Sequence, residues 1–474
     1  MIRPNWKNLL IVTLYSMYLA SFSCWTILNW DQGAEGYEWH IFPWIIISLA
    51  LNVFCFFGIR KVIYTDIGSW FLFASYLFMH GHVFLVCLDQ GTTLLWNPAT
   101  IYTGEELFHS AIYAHFCLCT FGFGYILHLS PSKAAETDRN TKRSAEPDFL
   151  QRNIGFMLLI IGWAFNVVTT LQIISATWAV NSYSGFSDVA LTGGTGSLAM
   201  LLLPGVIYML CSQTLSPIQK NILVFAVCAY LLATMFLSGS RKLQIFYLLT
   251  IGLCYYWTKG NYKLNFRKLI TSGIVLLFFL DFLYIIRENR MNLTEVGPAF
   301  CESIKNFRFI QSIAGEVFAE TGLTFYAVVS IVALVPSVFP FEYGMTLVRT
   351  IPTILPVGWL FPDFFAKAAS TNVINTYTEL PVGASLFGDF YWNFGLFGGL
   401  IISFLWGRLL AAGTSKFLNN EKFTAVYFTI FFTVLLGVRA GIFELFRPFL
   451  MTVVLPALFY HLRVQKKQIH DLAE

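Results

Sequence analysis

Arginines stand at the ends of apolar segments along the second half of the chain. Arg241 lies in "FLSGSRKLQIF", Arg290 follows an apolar run in "YIIRENR", and Arg439 and Arg447 lie in "GVRAGIFELFRPF". Arginine binds phosphate oxygens through a planar fork of N–H donors, so these residues could together hold a phosphate or pyrophosphate group. The alternative is that each snorkels from a helix end or forms a structural ion pair.

Acidic residues near the same segments could serve as a general base. Asp389 lies in "GASLFGDFYWNFGLFGG", Glu379 precedes it in "NTYTELPVG", and Glu316 and Glu320 lie in "AGEVFAETG". The last two are four residues apart and share a face if the segment is helical. A carboxylate inside a membrane is a functional candidate by default. The alternative is that these acids pair with the arginines.

Aromatic and histidine residues give a weaker signal. His80 and His82 form an HxH pair, but a metal site needs further ligands that the sequence does not identify, so a packed or pore-lining role is favoured. Aromatic residues recur between the apolar runs, which is typical of an interfacial belt. A minority could stack on sugar rings and line a glycan groove. This aromatic set contains Trp30, Tyr37, Trp39, Trp96, Tyr102, Trp178, Tyr183, Trp359, Tyr377, Tyr391 and Trp392.

Membrane helices must position these side chains. Of 474 residues, 57% are hydrophobic and 12% are charged, and a soluble chain of this length needs more polar surface. Apolar runs of about 20 residues, enough to cross a bilayer, recur throughout. We predict an all-α fold, a polytopic bundle of roughly 12–14 membrane helices that forms one domain over residues 1–474. The candidate spans are 7–28, 41–59, 67–88, 107–129, 152–177, 194–212, 220–238, 242–257, 269–287, 321–338, 386–411, 422–438 and 448–463.

The distribution of lysine and arginine predicts the orientation. Basic residues precede the first span, follow the second, and are dense in "SKAAETDRNTKRSAEPDF" after the fourth and "KGNYKLNFRK" after the eighth. Short loops rich in these residues face the cytoplasm. Both chain ends are therefore predicted to be cytoplasmic, with a cytoplasmic loop at 130–151. The candidate phosphate-binding arginines then face outward, where few basic residues are expected.

The longest connection, residues 288–385, is predicted to face outward before the last three helices. It contains one clear apolar stretch, 321–338, and a proline-rich run at 351–362 that would make a poor regular helix. Two arrangements remain open. Either the apolar stretch crosses the membrane and the chain returns through 345–361, or the stretch is re-entrant and packs against protein.

Several motifs resemble those of one family. "GASLFGDFYWNFGLFGG" resembles the late motif of Wzy-type polymerases of bacterial O-antigen and capsule repeat units, in which an acid and then an aromatic–Asn–Phe–Gly run begin a late helix. "SGSRK" after a mid-chain helix and the long outward loop are also similar to that family. The resemblance covers roughly residues 230–450. The family's acid is usually Glu, whereas this chain has Asp389, which leaves open whether Asp389 acts in chemistry or in structure.

The resemblance implies glycosyl transfer at the outer face of the bacterial plasma membrane, with no metal or other cofactor. A growing glycan on undecaprenyl pyrophosphate is the donor, and a lipid-linked repeat unit is the acceptor. The acceptor hydroxyl attacks the anomeric carbon, a base takes its proton, and arginines stabilise the departing pyrophosphate. On this reading the pyrophosphate ligands are Arg241, Arg290, Arg439 and Arg447, and the base is Asp389, Glu379 or Glu320.

The same resemblance implies the partners. These are the lipid-linked oligosaccharide and membrane lipids, with a chain-length regulator and a flippase of the same pathway as candidates and no nucleic acid. Three other functions are considered. A glycan ligase would use the same donor site, a flippase of lipid-linked oligosaccharide would carry charges along a path open to both faces, and a membrane scaffold would tolerate loss of the arginines.

Overall fold

The computed structural model describes most of the chain. The described residues are 6–31, 35–91, 98–129, 149–182, 193–238, 242–259, 281–282, 284–286, 289, 292–306, 313–354, 364, 367–378, 382–418 and 423–463. Most of the predicted cytoplasmic loop 130–151, most of the span 269–287 and parts of the connection 288–385 lie outside them.

The described residues are helical, without strands, so the predicted all-α class is confirmed. The helices are α1 Trp6–Asn29, α2 Tyr37–Val53, α3 Ile67–Cys87, α4 Gly104–His128, α5 Phe149–Ala179, α6 Gly193–Ala199, α7 Leu202–Cys211, α8 Pro217–Ser238, α9 Lys242–Thr258, α10 Val296–Lys305, α11 Ile313–Gly322, α12 Phe325–Leu334, α13 Met345–Thr350, α14 Ser370–Thr378, α15 Leu386–Leu418, α16 Thr424–Leu436 and α17 Ile442–Phe449.

Nine segments among the described residues are long and apolar enough to cross a membrane, and two shorter apolar helices accompany them. The sequence placed most ends within a few residues, but two predicted spans are interrupted. The span predicted at 194–212 is divided into α6 and α7, and the apolar stretch predicted at 321–338 overlaps the end of α11 and all of α12, which together form the apolar segment Ala314–Leu334. Glu316 and Glu320 both lie on α11, so they share a helical face, as the sequence predicted for a helical segment.

The chain folds as two compact units, each built from separate parts of the sequence. The first contains Met1–Glu136, Ala314–Asn419 and Val434–Phe446. The second contains Thr137–Ile313, Asn420–Thr433 and Arg447–Glu474.

Helix α4 lies at the centre of the first unit. It packs against α1, α2, α3, α12 and, most extensively, α15. Two glycines let the backbones of α4 and α15 approach closely: a Cβ on Gly124 would lie 2.2 Å from the carbonyl oxygen of Phe404, and one on Gly407 would lie 2.3 Å from that of Phe121. Small residues at such crossings are typical of membrane helix packing. This contact fixes α15, which carries Asp389.

Polar side chains are buried between α1, α2, α3 and α4. Asn52 accepts a hydrogen bond from Tyr15 and donates one to Tyr76. His115 lies 2.8 Å from the hydroxyl of Tyr18 and 3.3 Å from the Nε2 of His80. These contacts are those of a packed side chain for His80, one of the two roles, packed or pore-lining, that the sequence favoured for the HxH pair.

The second unit contains a buried acid that the sequence did not single out. Asp281 is 1% exposed, and its Oδ2 accepts a hydrogen bond from the hydroxyl of Ser303 on α10. The next residue, Phe282, stacks on Phe236 and makes an edge contact with Phe300. Asp281 therefore lies beside an aromatic cluster, and one of its carboxylate oxygens accepts a hydrogen bond.

Candidate active site

Helix α15 is broken at Gly395, whose φ of 66° and ψ of −167° lie outside the helical region. Glycine adopts this conformation at low cost because it has no Cβ. The part after the break, residues 396–418, is about 34 Å long at 1.5 Å per residue and can cross a hydrocarbon core of about 30 Å alone. The part before it, 386–394, is not needed for crossing. That short segment carries Asp389 and Asn393.

A loop from another part of the chain is bound at this break. We call residues 340–349 the strap. The carbonyls of Trp392 and Asn393 lose their helical partners at Gly395. The strap supplies new ones, since the N–H of Glu342 donates to the Trp392 carbonyl at 3.1 Å and that of Tyr343 to the Asn393 carbonyl at 3.0 Å.

The side chain of Asn393 joins the strap to the turn that carries Asp389. It is fully buried. Its Oδ1 accepts from the N–H of Gly344 at 2.9 Å, and its Nδ2 donates to the Thr346 hydroxyl at 2.8 Å and to the Asp389 carbonyl at 2.7 Å. A buried amide with its donors and acceptor satisfied fixes its surroundings in one arrangement.

Helix α4 fixes the same segment from another side. The hydroxyl of Tyr113 donates to the carbonyl of Phe387 at 2.9 Å. Its ring makes an edge contact with Tyr391, with the ring centroids 5.0 Å apart. The segment before the break is therefore held by the strap and by the most extensively packed helix of the first unit.

The carboxylate of Asp389 is buried, with 3% of the residue exposed. Its Oδ2 accepts a hydrogen bond from the backbone N–H of Ile442, the first residue of α17, at 2.6 Å. Ser370 lies beside the carboxyl group, but Oδ1 has no partner in hydrogen-bond geometry within the described residues. One oxygen is thus held by a backbone donor, and the other is left to accept a proton or a hydrogen bond.

Gly441 makes this contact possible. A Cβ at this position would lie 2.6 Å from Oδ2 of Asp389 and 3.3 Å from the Cβ of Ala384. Any side chain at 441 would therefore displace the carboxylate from the start of α17. The sequence pointed to this stretch by its arginines and not by its glycine, and it carried no signal that residues 389 and 442 meet.

Two of the four candidate arginines lie within the described residues. Arg439 ends the turn Gly437–Arg439, is partly buried, and makes no hydrogen bond or ion pair there. Arg447 is partly buried on α17 and has an interaction partner. The two arginines do not lie on one continuous helix, because Ala440 between them is extended, with φ −145° and ψ 146°. Glu444 lies within electrostatic range of Asp389.

Of the remaining candidates, one lies within the described residues. Glu320 is on α11, has an interaction of its own, and forms no hydrogen bond with Asp389. Arg241, Arg290 and Glu379 lie outside the described residues.

A family model supports the same conclusion as the motifs. The model for O-antigen polysaccharide polymerase Wzy matches residues 10–467, which is nearly the whole chain. No curated protein and no solved structure matches the chain. The matched family polymerises O-antigen repeat units, so the substrate is a lipid-linked oligosaccharide and the protein is a multi-pass membrane protein. The chain belongs to the Wzy family of O-antigen polysaccharide polymerases.

Proposed function

We propose that the chain joins undecaprenyl-pyrophosphate-linked oligosaccharide repeat units into a surface polysaccharide at the outer face of the bacterial plasma membrane. A hydroxyl of the acceptor unit forms a bond to the anomeric carbon of the donor glycan. The bond from that carbon to the pyrophosphate breaks, and undecaprenyl pyrophosphate leaves with the electron pair. The hydroxyl proton passes to a base. This outward orientation rests on the lysine and arginine distribution, which also predicts that both chain ends are cytoplasmic.

Asp389 is the proposed base, and its contacts carry the proposal. Its Oδ2 is held by the N–H of Ile442 at 2.6 Å, while its buried Oδ1 has no hydrogen-bond partner within the described residues. A general base needs such a free acceptor, fixed within reach of the proton that it removes. Glu320 and Glu379 are weaker choices, since Glu320 already has another partner and Glu379 has no described contacts.

Arginines are the proposed ligands of the departing pyrophosphate. Arg439 lies three residues before Ile442, which donates to Asp389, and it is the first choice because its guanidinium has no ion-pair partner in the described residues. Arg241, Arg290 and Arg447 are proposed with it. Positive groups placed where charge develops lower the barrier to departure. With this charge supplied by arginine, we expect the reaction to proceed without a metal ion.

A reconstituted polymerisation assay tests the proposal. The purified protein is placed in nanodiscs with the lipid-linked repeat unit that accumulates in source cells lacking this chain, without nucleotide and with a chelator. A ladder of longer glycans on a gel is the expected result, and it should be lost in Arg439→Ala and Arg241→Ala. Transfer only after a foreign acceptor is added would instead identify a ligase. Movement of the unit across the bilayer without chain growth would identify a flippase.

A further inference from the structure

Tyr343 has a backbone conformation that is unusual for its residue type. Its φ is 45°, in the left-handed region, and it is the aromatic member of the four described non-glycine residues with positive φ. Bulky residues rarely adopt this region, because it costs free energy that the rest of the structure must offset. The ring is nevertheless 77% exposed. No packing contact of a buried ring therefore accounts for a tyrosine at this position.

The strap holds Tyr343 in this conformation from both sides. The N–H groups of three consecutive residues, from Glu342 to Gly344, donate to Trp392 and Asn393 on the segment before the helix break. An ion pair of 2.7 Å between Glu342 and Arg349 closes the strap, and both side chains are mostly buried. The backbone of the strained residue is thus fixed by these contacts, while its side chain is exposed.

Tyr343 begins a row of aromatic rings that ends on the segment carrying the candidate base. The centroid of Tyr343 lies 6.2 Å from that of Phe341, which lies 6.3 Å from that of Tyr391. Tyr391 is two residues after Asp389 on the same helical segment. Asn393 connects the strap to the segment that carries Asp389. It accepts a hydrogen bond from the N–H of Gly344 and donates one to the carbonyl of Asp389.

We infer that Tyr343 is a sugar-binding residue that stacks on a pyranose ring of the acceptor repeat unit. This inference rests on the proposed function, in which Asp389 receives the proton of the acceptor hydroxyl. Sugar rings present C–H faces that pack on aromatic rings, and an exposed tyrosine on a fixed support offers such a face without being ordered on binding. The occupant is a sugar because the substrate of the family is an oligosaccharide. The competing occupant, a lipid headgroup, is an outcome of the test.

The test measures binding separately from catalysis. The probe is the free repeat-unit oligosaccharide, released from its lipid by mild acid and labelled with a fluorophore, and its Kd for the protein in nanodiscs is read by fluorescence anisotropy. Tyr343→Ala should raise Kd about 3- to 10-fold, as expected for loss of one aromatic contact. Tyr343→Phe, which keeps the ring, should stay within about twofold of wild type.

A glycine substitution distinguishes a functional tyrosine from a structural one. Tyr343→Gly should weaken binding as much as Tyr343→Ala does, while its melting temperature stays at or above that of wild type because the backbone strain is relieved. The matched control is Trp6→Ala, which removes another exposed aromatic residue of the first unit, 65% exposed, and should leave Kd unchanged.

Two results would overturn the inference. One is an unchanged Kd in Tyr343→Ala. If the melting temperature of that variant is also reduced, Tyr343 would be identified as a membrane anchor. The other is the absence of measurable oligosaccharide binding by the wild-type protein. The readout is binding and not chain growth, so it does not depend on whether Asp389 is the base.

Discussion

Asp389 in the first unit and Asp281 in the second are both buried aspartates. In each, one carboxylate oxygen accepts a hydrogen bond. Each has a second oxygen without a hydrogen-bond partner within the described residues. They differ in what holds the first oxygen. Asp389 accepts from a backbone N–H at the start of a helix, whereas Asp281 accepts from the hydroxyl of Ser303. A backbone donor is fixed by the fold, while a hydroxyl turns with its side chain.

The surroundings of the two aspartates also differ. Asp389 lies on a segment fastened by Asn393 and Tyr113, next to a turn that carries Arg439. Asp281 lies beside an aromatic cluster. Burial with an unpaired oxygen is therefore not enough to identify a base. We assign the chemistry to the aspartate whose carboxylate is fixed by backbone contacts, and a structural role to the other.

The largest effect is expected from Asp389→Asn. An amide of nearly the same shape still accepts from Ile442 but cannot take a proton, so the rate of chain growth should fall about 100-fold or more. The measurement is the initial rate of glycan lengthening in nanodiscs, with the melting temperature as a check on folding. A variant that keeps more than a third of the wild-type rate would remove Asp389 from the chemistry.

Gly441→Ala tests whether the position of the carboxylate matters. The added Cβ would lie 2.6 Å from Oδ2 of Asp389, so the carboxylate must move. Small displacements of a reacting group are costly, and we expect the rate to fall about 10- to 100-fold. Gly413→Ala on α15 is the matched control, because its nearest neighbour atoms are 4.0 Å away. Equal rates in the two variants would show that the contact with Ile442 is dispensable.

The sequence predicted the helices better than the site. Apolar length alone placed spans such as 67–88, found as Ile67–Cys87, because crossing a bilayer requires a fixed length of helix. The break at Gly395 depends on the strap, which binds the carbonyls that the break releases. The contact of Asp389 with Ile442 joins residues 53 positions apart. Neither contact leaves a periodic pattern, so the sequence could propose Asp389 but not what fixes it.

Asn393→Ala should have a smaller effect on the rate than Gly441→Ala, because it acts on Asp389 through the backbone. It leaves the N–H of Gly344 and the hydroxyl of Thr346 without their buried partner, which costs about 1–3 kcal/mol of folding stability. We expect a rate reduced about 10-fold together with a lower melting temperature. Thr346→Ser keeps the hydroxyl and should behave like wild type. An unchanged rate in Asn393→Ala would show that the strap does not position the base.

The smallest effect is expected from Asp281→Asn, which tests the other side of the comparison. The amide oxygen still accepts from Ser303, and a neutral side chain is less costly to bury than a carboxylate. The rate should change by less than about threefold, and the melting temperature should stay the same or rise. The assay is the one used for Asp389→Asn, so the two aspartates are compared directly. A loss as large as that of Asp389→Asn would mean that a backbone donor does not distinguish the base from a structural aspartate.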